Sequence, residues 1–348
     1  MILSALAAAP TDIASASFLV SDWLGKPVWM WLAFLALIVF LLWLDLGLLN
    51  RKSKAVSPAK SFYMWAFFAS IALGFGAWVW IDQGADAGAQ FFTGYVLETS
   101  LAFDNIFVIS TIFAYFAVPR EYQHRVLFWG IIGAIVFRAL FISAGAAIIE
   151  KYVFALYFFA LFLIVTGWKM ATAKSHGPNI GNNPVLKIAR RLLPVTDTID
   201  SDRFFVKKPH GANGALKTYA TPLFLALILV EFVDIVFAID SVPAIFAVTQ
   251  DPFIVYTSNI FAILGLRSMY FMLAAAVERF AYLKMGLSAI LVLIGVKIFW
   301  NFGIKDLGLD KSMGFEKIDP IAALVATVSI IALSILYSLW KTRRRAAA

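Results

Sequence analysis

Leu97–Phe107 reads LETSLAFDNIF and sits inside an apolar stretch that runs almost unbroken from Phe91 to Val118. Glu98, Asp104 and Asn105 therefore lie near the middle of a segment long enough to cross a bilayer. On a soluble helix these side chains would mark a wet face. In a membrane they are expensive and need a function. Composition decides between the two. The chain is 62% hydrophobic and 14% charged, with a mean hydropathy of +0.85. A soluble domain would carry about 25% charge.

The fold class that follows is an all-α polytopic membrane protein of about nine transmembrane helices. Apolar runs place the spans at 28–49, 62–81, 91–118, 126–149, 152–170, 219–248, 253–276, 285–301 and 320–340. Connections alternate in charge. RKSKAVSPAK, PREYQHR, segment 171–218, ERFAYLK and the tail KTRRR are basic, whereas DQGADAGAQ, EK and TQDP are not. The tendency of basic loops to stay in the cytoplasm then puts the N-terminus outside and the C-terminus inside. The net charge of +8 belongs to those loops and does not imply nucleic acid. MILSALAAAP lacks the basic start of a signal peptide and is expected to belong to the mature chain. The chain has no cysteine, so neither disulfides nor thiolate metal sites are available.

The acidic span has a counterpart in LVEFVDIVFAIDSVPAIF, Leu229–Phe246. Glu98 and Asp104 have the same spacing as Asp234 and Asp240, and a neutral polar residue follows each second acid, Asn105 or Ser241. The next span of each copy carries one arginine, Arg138 or Arg267. The span after that ends in Gly167-x-Lys169 or Gly295-x-Lys297. The chain is thus expected to hold two inverted three-helix repeats: residues 91–170 and 219–301. Residues 1–90 contribute two earlier spans, 171–218 a basic cytoplasmic loop, and 302–348 an external loop, the ninth span and the tail. An odd number of helices per copy inverts the second one, as in many secondary transporters.

At about 100° per residue, Glu98 and Asn105 share a helix face, and so do Asp234 and Ser241. Asp104 and Asp240 lie about 120° away, which asks for a break; Pro243 offers one in the second copy. Five carboxylates, Glu98, Asp104, Glu231, Asp234 and Asp240, face two arginines in neighbouring spans. Arg138 and Arg267 are expected to balance the site, and the remaining negative charge calls for a cation and a retained proton. Carboxylate, amide and hydroxyl oxygens suit hard ions such as Mn²⁺, Mg²⁺ and Ca²⁺. The three histidines, His124, His176 and His210, fall in expected loops. Asp45 reads as an interface residue, and Trp29, Trp31, Trp65, Trp78 and Trp80 as interfacial belts. In segment 171–218, VLKIARRLLP reads as a basic amphipathic piece on the anionic inner leaflet. TDTIDSDRFF, with Asp197, Asp200 and Asp202, reads as a solvated loop without the calcium-loop pattern.

GYVLETSLAFDNIFV, LILVEFVDIVFAIDSVPAIFAVTQDPFIVYTSNIFAILGLRSMYF, DLGLLNRK and TDTIDSDRFFVKK resemble the TerC family of bacterial membrane proteins, in particular its manganese-exporting branch. The similarity runs from about Leu41 to the end of the eighth span. It implies an inner-membrane exporter with the architecture of LysE-like exporters. It also implies essential metal-binding residues at Glu98, Asp104, Asn105, Glu231, Asp234, Asp240 and Ser241. The expected partners are the lipid bilayer, a divalent cation and coupling protons, with no resident cofactor, no enzymatic activity and no nucleic acid. The family name refers to tellurium resistance, but an acidic site gives no reason to bind an anion. An intramembrane aspartyl protease would need a Gly-x-Gly-Asp element, which LAFDN and FAIDS lack. A scaffold that assists membrane insertion or hands metal to secreted enzymes is the other alternative, and it leaves the acids unexplained.

Overall fold

The computed structural model describes residues 18–45, 58–152, 154–172, 180–199, 201–210, 215–273, 283–306 and 317–347. A two-residue hairpin, β1 (Asp22–Trp23) and β2 (Lys26–Pro27), leads into α1 (Val28–Leu44). There follow α2 (Pro58–Gln83), α3 (Ala85–Tyr115), α4 (Arg120–Lys151) and α5 (Ala155–Thr172). A short connecting unit holds α6 (Pro184–Leu192) and an antiparallel hairpin, β3 (Phe205–His210) with β4 (Ala215–Ala220). The bundle resumes with α7 (Pro222–Val248), α8 (Pro252–Leu273), α9 (Leu283–Asp306) and α10 (Pro320–Ala347).

Proline sets most of these starts. It is the first residue of α2, α6, α7, α8 and α10 and immediately precedes α1 and α4. Its fixed φ suits the first helical turn, and its missing N–H is one that the turn leaves unpaired anyway. The exception is Pro243. It was expected to break its span, yet α7 runs through it to Val248. Proline removes only the bond to Ile239, one turn earlier, and the flanking residues Val242, Ala244, Ile245 and Phe246 are buried in the packed core that holds the helix together.

Each of the nine expected spans contains a long helix. Seven of these are long and apolar enough to cross a membrane. The other two are α1, at 17 residues, and α8, whose apolarity is lowered by Thr257, Ser258, Asn259, Arg267 and Ser268. All five are buried, because α8 is the central helix: it packs against α2, α3 and α4. α10 is peripheral, with Val325, Val328, Leu333 and Leu336 exposed. Exposed apolar side chains of this kind suit a lipid-facing surface.

With lipid outside, helices gain little from burying apolar surface and associate through close packing. The α5–α9 crossing shows this. A Cβ on Gly167 would stand 2.8 Å from the Ser288 carbonyl oxygen, and one on Gly295 2.7 Å from that of Ala160. The Ser288 hydroxyl donates to the Gly167 carbonyl at 2.5 Å. Elsewhere aromatic rings lock α1, α2, α3 and α8 together. Phe75 lies 5.0 Å from Phe261 and 5.5 Å from Phe91 between ring centres. Trp31, expected in an interfacial belt, belongs to this core: it is buried, packs edge-on to Phe253, and donates its indole N–H to the Trp23 carbonyl at 2.9 Å.

The described parts of segment 171–218 hold a helix and two paired strands. Asn183 caps α6 by accepting from the Val185 N–H at 2.9 Å. Leu186 and Ala189 are buried among residues of α3, α4 and α7, while Ile188 and Leu192 are exposed. Arg125 of α4 pairs with Asp202 at 2.5 Å and lies over the Phe204 ring. His124, expected in a loop, is in the second turn of α4. Asp200 and His176 lie outside the described residues.

Gly295→Val should drive a branched side chain into the Ala160 carbonyl, destabilising the fold by roughly 1–3 kcal/mol and lowering the thermal midpoint in detergent. Gly74→Ala, where a Cβ meets nothing within 4 Å, should leave the midpoint unchanged or slightly raised. Equal midpoints for both variants would remove the close α5–α9 crossing as a stabilising contact.

Candidate functional site

Four helices build the polar centre. α3 brings Glu98, Asp104 and Asn105; α4 brings Arg138; α7 brings Asp234 and Ser241; α8 brings Asn259. Arg138 is the hub and is only 2% exposed. Its Nη1 donates to Glu98, to Ser241 Oγ at 3.3 Å and to Asn259 Oδ1 at 3.2 Å. Nη2 reaches Asp234 Oδ1 at 3.2 Å, and Nε reaches Asp234 Oδ2 at 3.5 Å. The planar guanidinium thus meets Asp234 with two donors, the geometry that makes arginine–carboxylate pairs strong. Asn259 closes the ring by donating from Nδ2 to Glu98 Oε2 at 3.1 Å.

Beside this network lies a small cavity with a mostly apolar wall, into whose lining Glu98, Asp104, Asn105, Arg138 and Ser241 bring polar groups. Asn105 is 5% exposed, and its Oδ1 has no hydrogen-bond partner among the described residues. A buried carbonyl oxygen without a donor is a costly arrangement, and one that a cation or a water would relieve. Glu231 stands apart. Its carboxylate lies against the bare backbone of Gly133 on α4, and its Oε2 is likewise unpartnered. The side chain of Asp240 lies outside the described residues. Among the described residues, no three carboxylates or histidines converge closely enough to hold a metal ion. Two of the acids, Glu98 and Asp234, both pair with the Arg138 guanidinium.

The structure therefore brings together Glu98, Asp234, Ser241 and Arg138, and places Asp104 and Asn105 on the adjoining cavity. Arg267 departs from the expectation. Instead of balancing these acids it pairs with Asp45 through Nη2. It follows Asn259 by eight residues on α8, about 12 Å along the axis. Asp45, expected at a wet interface, is 4% exposed. A buried guanidinium demands an anion, and the C-terminal end of α1 supplies the nearest one. Asn259 was missed altogether. Its signal was an amide in the otherwise apolar run following Thr257 and Ser258, a pattern weaker than a charge.

A multi-pass bundle of long apolar helices around a buried polar centre defines an integral membrane protein. The chain belongs to the TerC family of integral membrane proteins, whose match covers residues 83–346. A Myxococcus xanthus membrane protein, STKORF319, is 46% identical over 314 residues, covering 90% of this chain and 93% of that protein. A Photorhabdus laumondii protein named as the membrane-bound redox modulator Alx is 43% identical over 331 residues, covering 92% and 98%. A Rickettsia bellii membrane protein is 46% identical over 269 residues, covering 77% and 87%. No solved structure matches the chain.

Removing one partner of the Asp45–Arg267 pair leaves a buried charge uncompensated, which costs about 3–5 kcal/mol. Asp45→Asn and Arg267→Gln should each lower the thermal midpoint strongly, and the double substitution should recover much of the loss. A double variant no better than the worse single one would show that the pair is not coupled.

Proposed function

We propose that the protein exports divalent metal cations from the cytoplasm, Mn²⁺ foremost, through the cavity among α3, α4 and α7, in exchange for protons. The observation that carries this reading is the unpartnered, buried Asn105 Oδ1 beside the carboxylates of Glu98 and Asp104 and the hydroxyl of Ser241. Two carboxylates, an amide oxygen and a hydroxyl form a hard, all-oxygen donor set suited to Mn²⁺, Mg²⁺ or Ca²⁺. No enzymatic step and no resident cofactor is needed. Proton exchange follows from charge: the acids of this centre outnumber its arginine, so at least one carboxylate carries a proton when no metal is bound and gives it up when metal enters.

Packing supports the reading of α3–α5 and α7–α9 as inverted repeats. α3 packs on α8 as α4 packs on α7, and α5 crosses α9. At that crossing Gly167 meets Ser288 and Gly295 meets Ala160; one chain offset relates both pairs. Basic connections at alternate ends support an external N-terminus and an internal C-terminus in the bacterial inner membrane. Relatives named as redox modulators fit a metal-exporting role through the metal, because this chain has no thiol of its own. The folded basic unit of α6 and the β3–β4 hairpin favours a second reading, a scaffold that docks a protein partner, but it gives the buried acids no task.

The test is ⁵⁴Mn²⁺ uptake into inside-out vesicles under a controlled pH gradient. Uptake should slow when the gradient collapses. Asp104→Asn should reach the membrane yet weaken ion binding by about 10- to 150-fold, the loss of one charge-assisted ligand. Asp197→Asn, in the connecting unit, should retain uptake. Wild-type uptake from Asp104→Asn would refute the cation site; uptake indifferent to the gradient would refute proton exchange.

A further inference from the structure

The acceptors held by Arg138 are the same groups that a cation would need. Glu98 and Ser241 line the cavity and also accept from Nη1. A divalent ion touching Glu98 from the cavity side would share that carboxylate with a guanidinium, and the two positive charges repel strongly in a dry interior. They cannot both hold Glu98 fully. Asp104 and Asn105, by contrast, line the cavity, and neither is among Arg138's hydrogen-bond partners. Asp234 is held differently again, by two donors from Nη2 and Nε.

We infer that Arg138 is a tethered counter-cation that occupies the transport site when it is empty, competes with the incoming metal for Glu98 and Ser241, and keeps Asp234 as its permanent partner. This rests on the cation-export reading above and sharpens it. The metal's donors become Asp104, Asn105, Glu98 and Ser241, whose two negative charges match one divalent ion. Asp234 is then the counter-ion of Arg138 and leaves the metal set. The order of events follows from which groups are engaged. The ion first meets Asp104 and Asn105 Oδ1. Glu98 and Ser241 then transfer from the guanidinium to the metal, and Arg138 falls back on Asp234. On release the guanidinium reclaims Glu98, so the empty site is never left with all its carboxylates bare. Asn259, which accepts from Arg138 and donates to Glu98, holds both groups in reach of each other.

A residue that only positions the acids would weaken metal binding when replaced. A competitor does the opposite. The experiment is a calorimetric titration of the full-length purified protein in lipid nanodiscs with Mn²⁺ alone. Arg138→Gln should bind Mn²⁺ at least tenfold more tightly than wild type while losing net uptake in vesicles, because the empty carrier can no longer reset. Arg138→Lys keeps the charge and protects folding, but an ammonium cannot span Glu98 and Asp234 in one plane. It should bind Mn²⁺ more tightly than wild type by a smaller factor, and it decides the matter if Arg138→Gln fails to elute as a single species. Equal or weaker binding by the folded variants overturns the competitor role while leaving the export reading intact. A folded wild-type protein that binds neither Mn²⁺ nor Ca²⁺ overturns the export reading itself, and this inference with it.

Discussion

A guanidinium buried to 2% exposure in an apolar helix dictates much of the surrounding structure. Arg138 cannot be neutralised by losing its proton, so the fold must bring acceptors to it. They come from three helices, α3, α7 and α8. Meeting one planar group fixes the depth and rotation of each helix to within a hydrogen-bond length. Small residues make the approach feasible. Gly94 lies one turn before Glu98, and a Cβ there would stand 2.9 Å from the Ser258 hydroxyl of α8. The bare backbone lets α3 close on α8 so that Glu98 and Asn259 meet. Gly133 does the same for α4 and α7, and its missing side chain is the space Glu231 fills.

Around that polar centre the rest of the bundle is held by shape. The aromatic cluster of Trp31, Phe34, Phe75, Phe91, Phe253 and Phe261 joins α1 and α2 to the core helices. Its rings meet mostly edge-on or tilted, the arrangement their quadrupoles favour. The Asp45–Arg267 pair fastens the other end of α1 to α8. α1, 17 residues long, is thereby tied at both ends, by rings near its start and by an ion pair at its close.

Much of this was legible in the sequence because the physics is one-dimensional. An apolar run of about 20 residues reads as a span, a proline reads as a start, and an acid in such a run reads as part of a polar centre. Partner choice is not one-dimensional. Arg138 and Arg267 sit in similar apolar surroundings, and nothing local says that one finds Glu98 and Asp234 while the other finds Asp45, far away in the chain on α1. Pro243 carried a local signal for a break, but tertiary packing overrode it. The connecting unit had readable cues that a loop assignment passed over. Asn183–Pro184 is a cap followed by a helix-starting proline, and FVKKPH and ALKTYA flank the glycine-containing sequence GANG.

Conformational coupling needs a contact that differs between two states, because a ligand shifts an equilibrium only by its differential affinity. If α3–α5 and α7–α9 move against each other, the polar bonds that cross between them are where such a difference can reside. Two sets of side-chain bonds at the centre cross: Arg138 of α4 to Asp234 and Ser241 of α7 and Asn259 of α8, and Asn259 to Glu98 of α3. Both sets involve groups that an ion in the cavity would recruit or displace. An ion that draws Glu98 and Ser241 toward itself would loosen the Asn259 link and the Ser241 link while leaving the Asp234 link in place. At the centre the two halves would then remain joined by the two-donor Arg138–Asp234 pair and by the Arg138–Asn259 bond. The buried charge that makes this region expensive to build would thus also let a small ion alter the contact between the two helix sets without unfolding either.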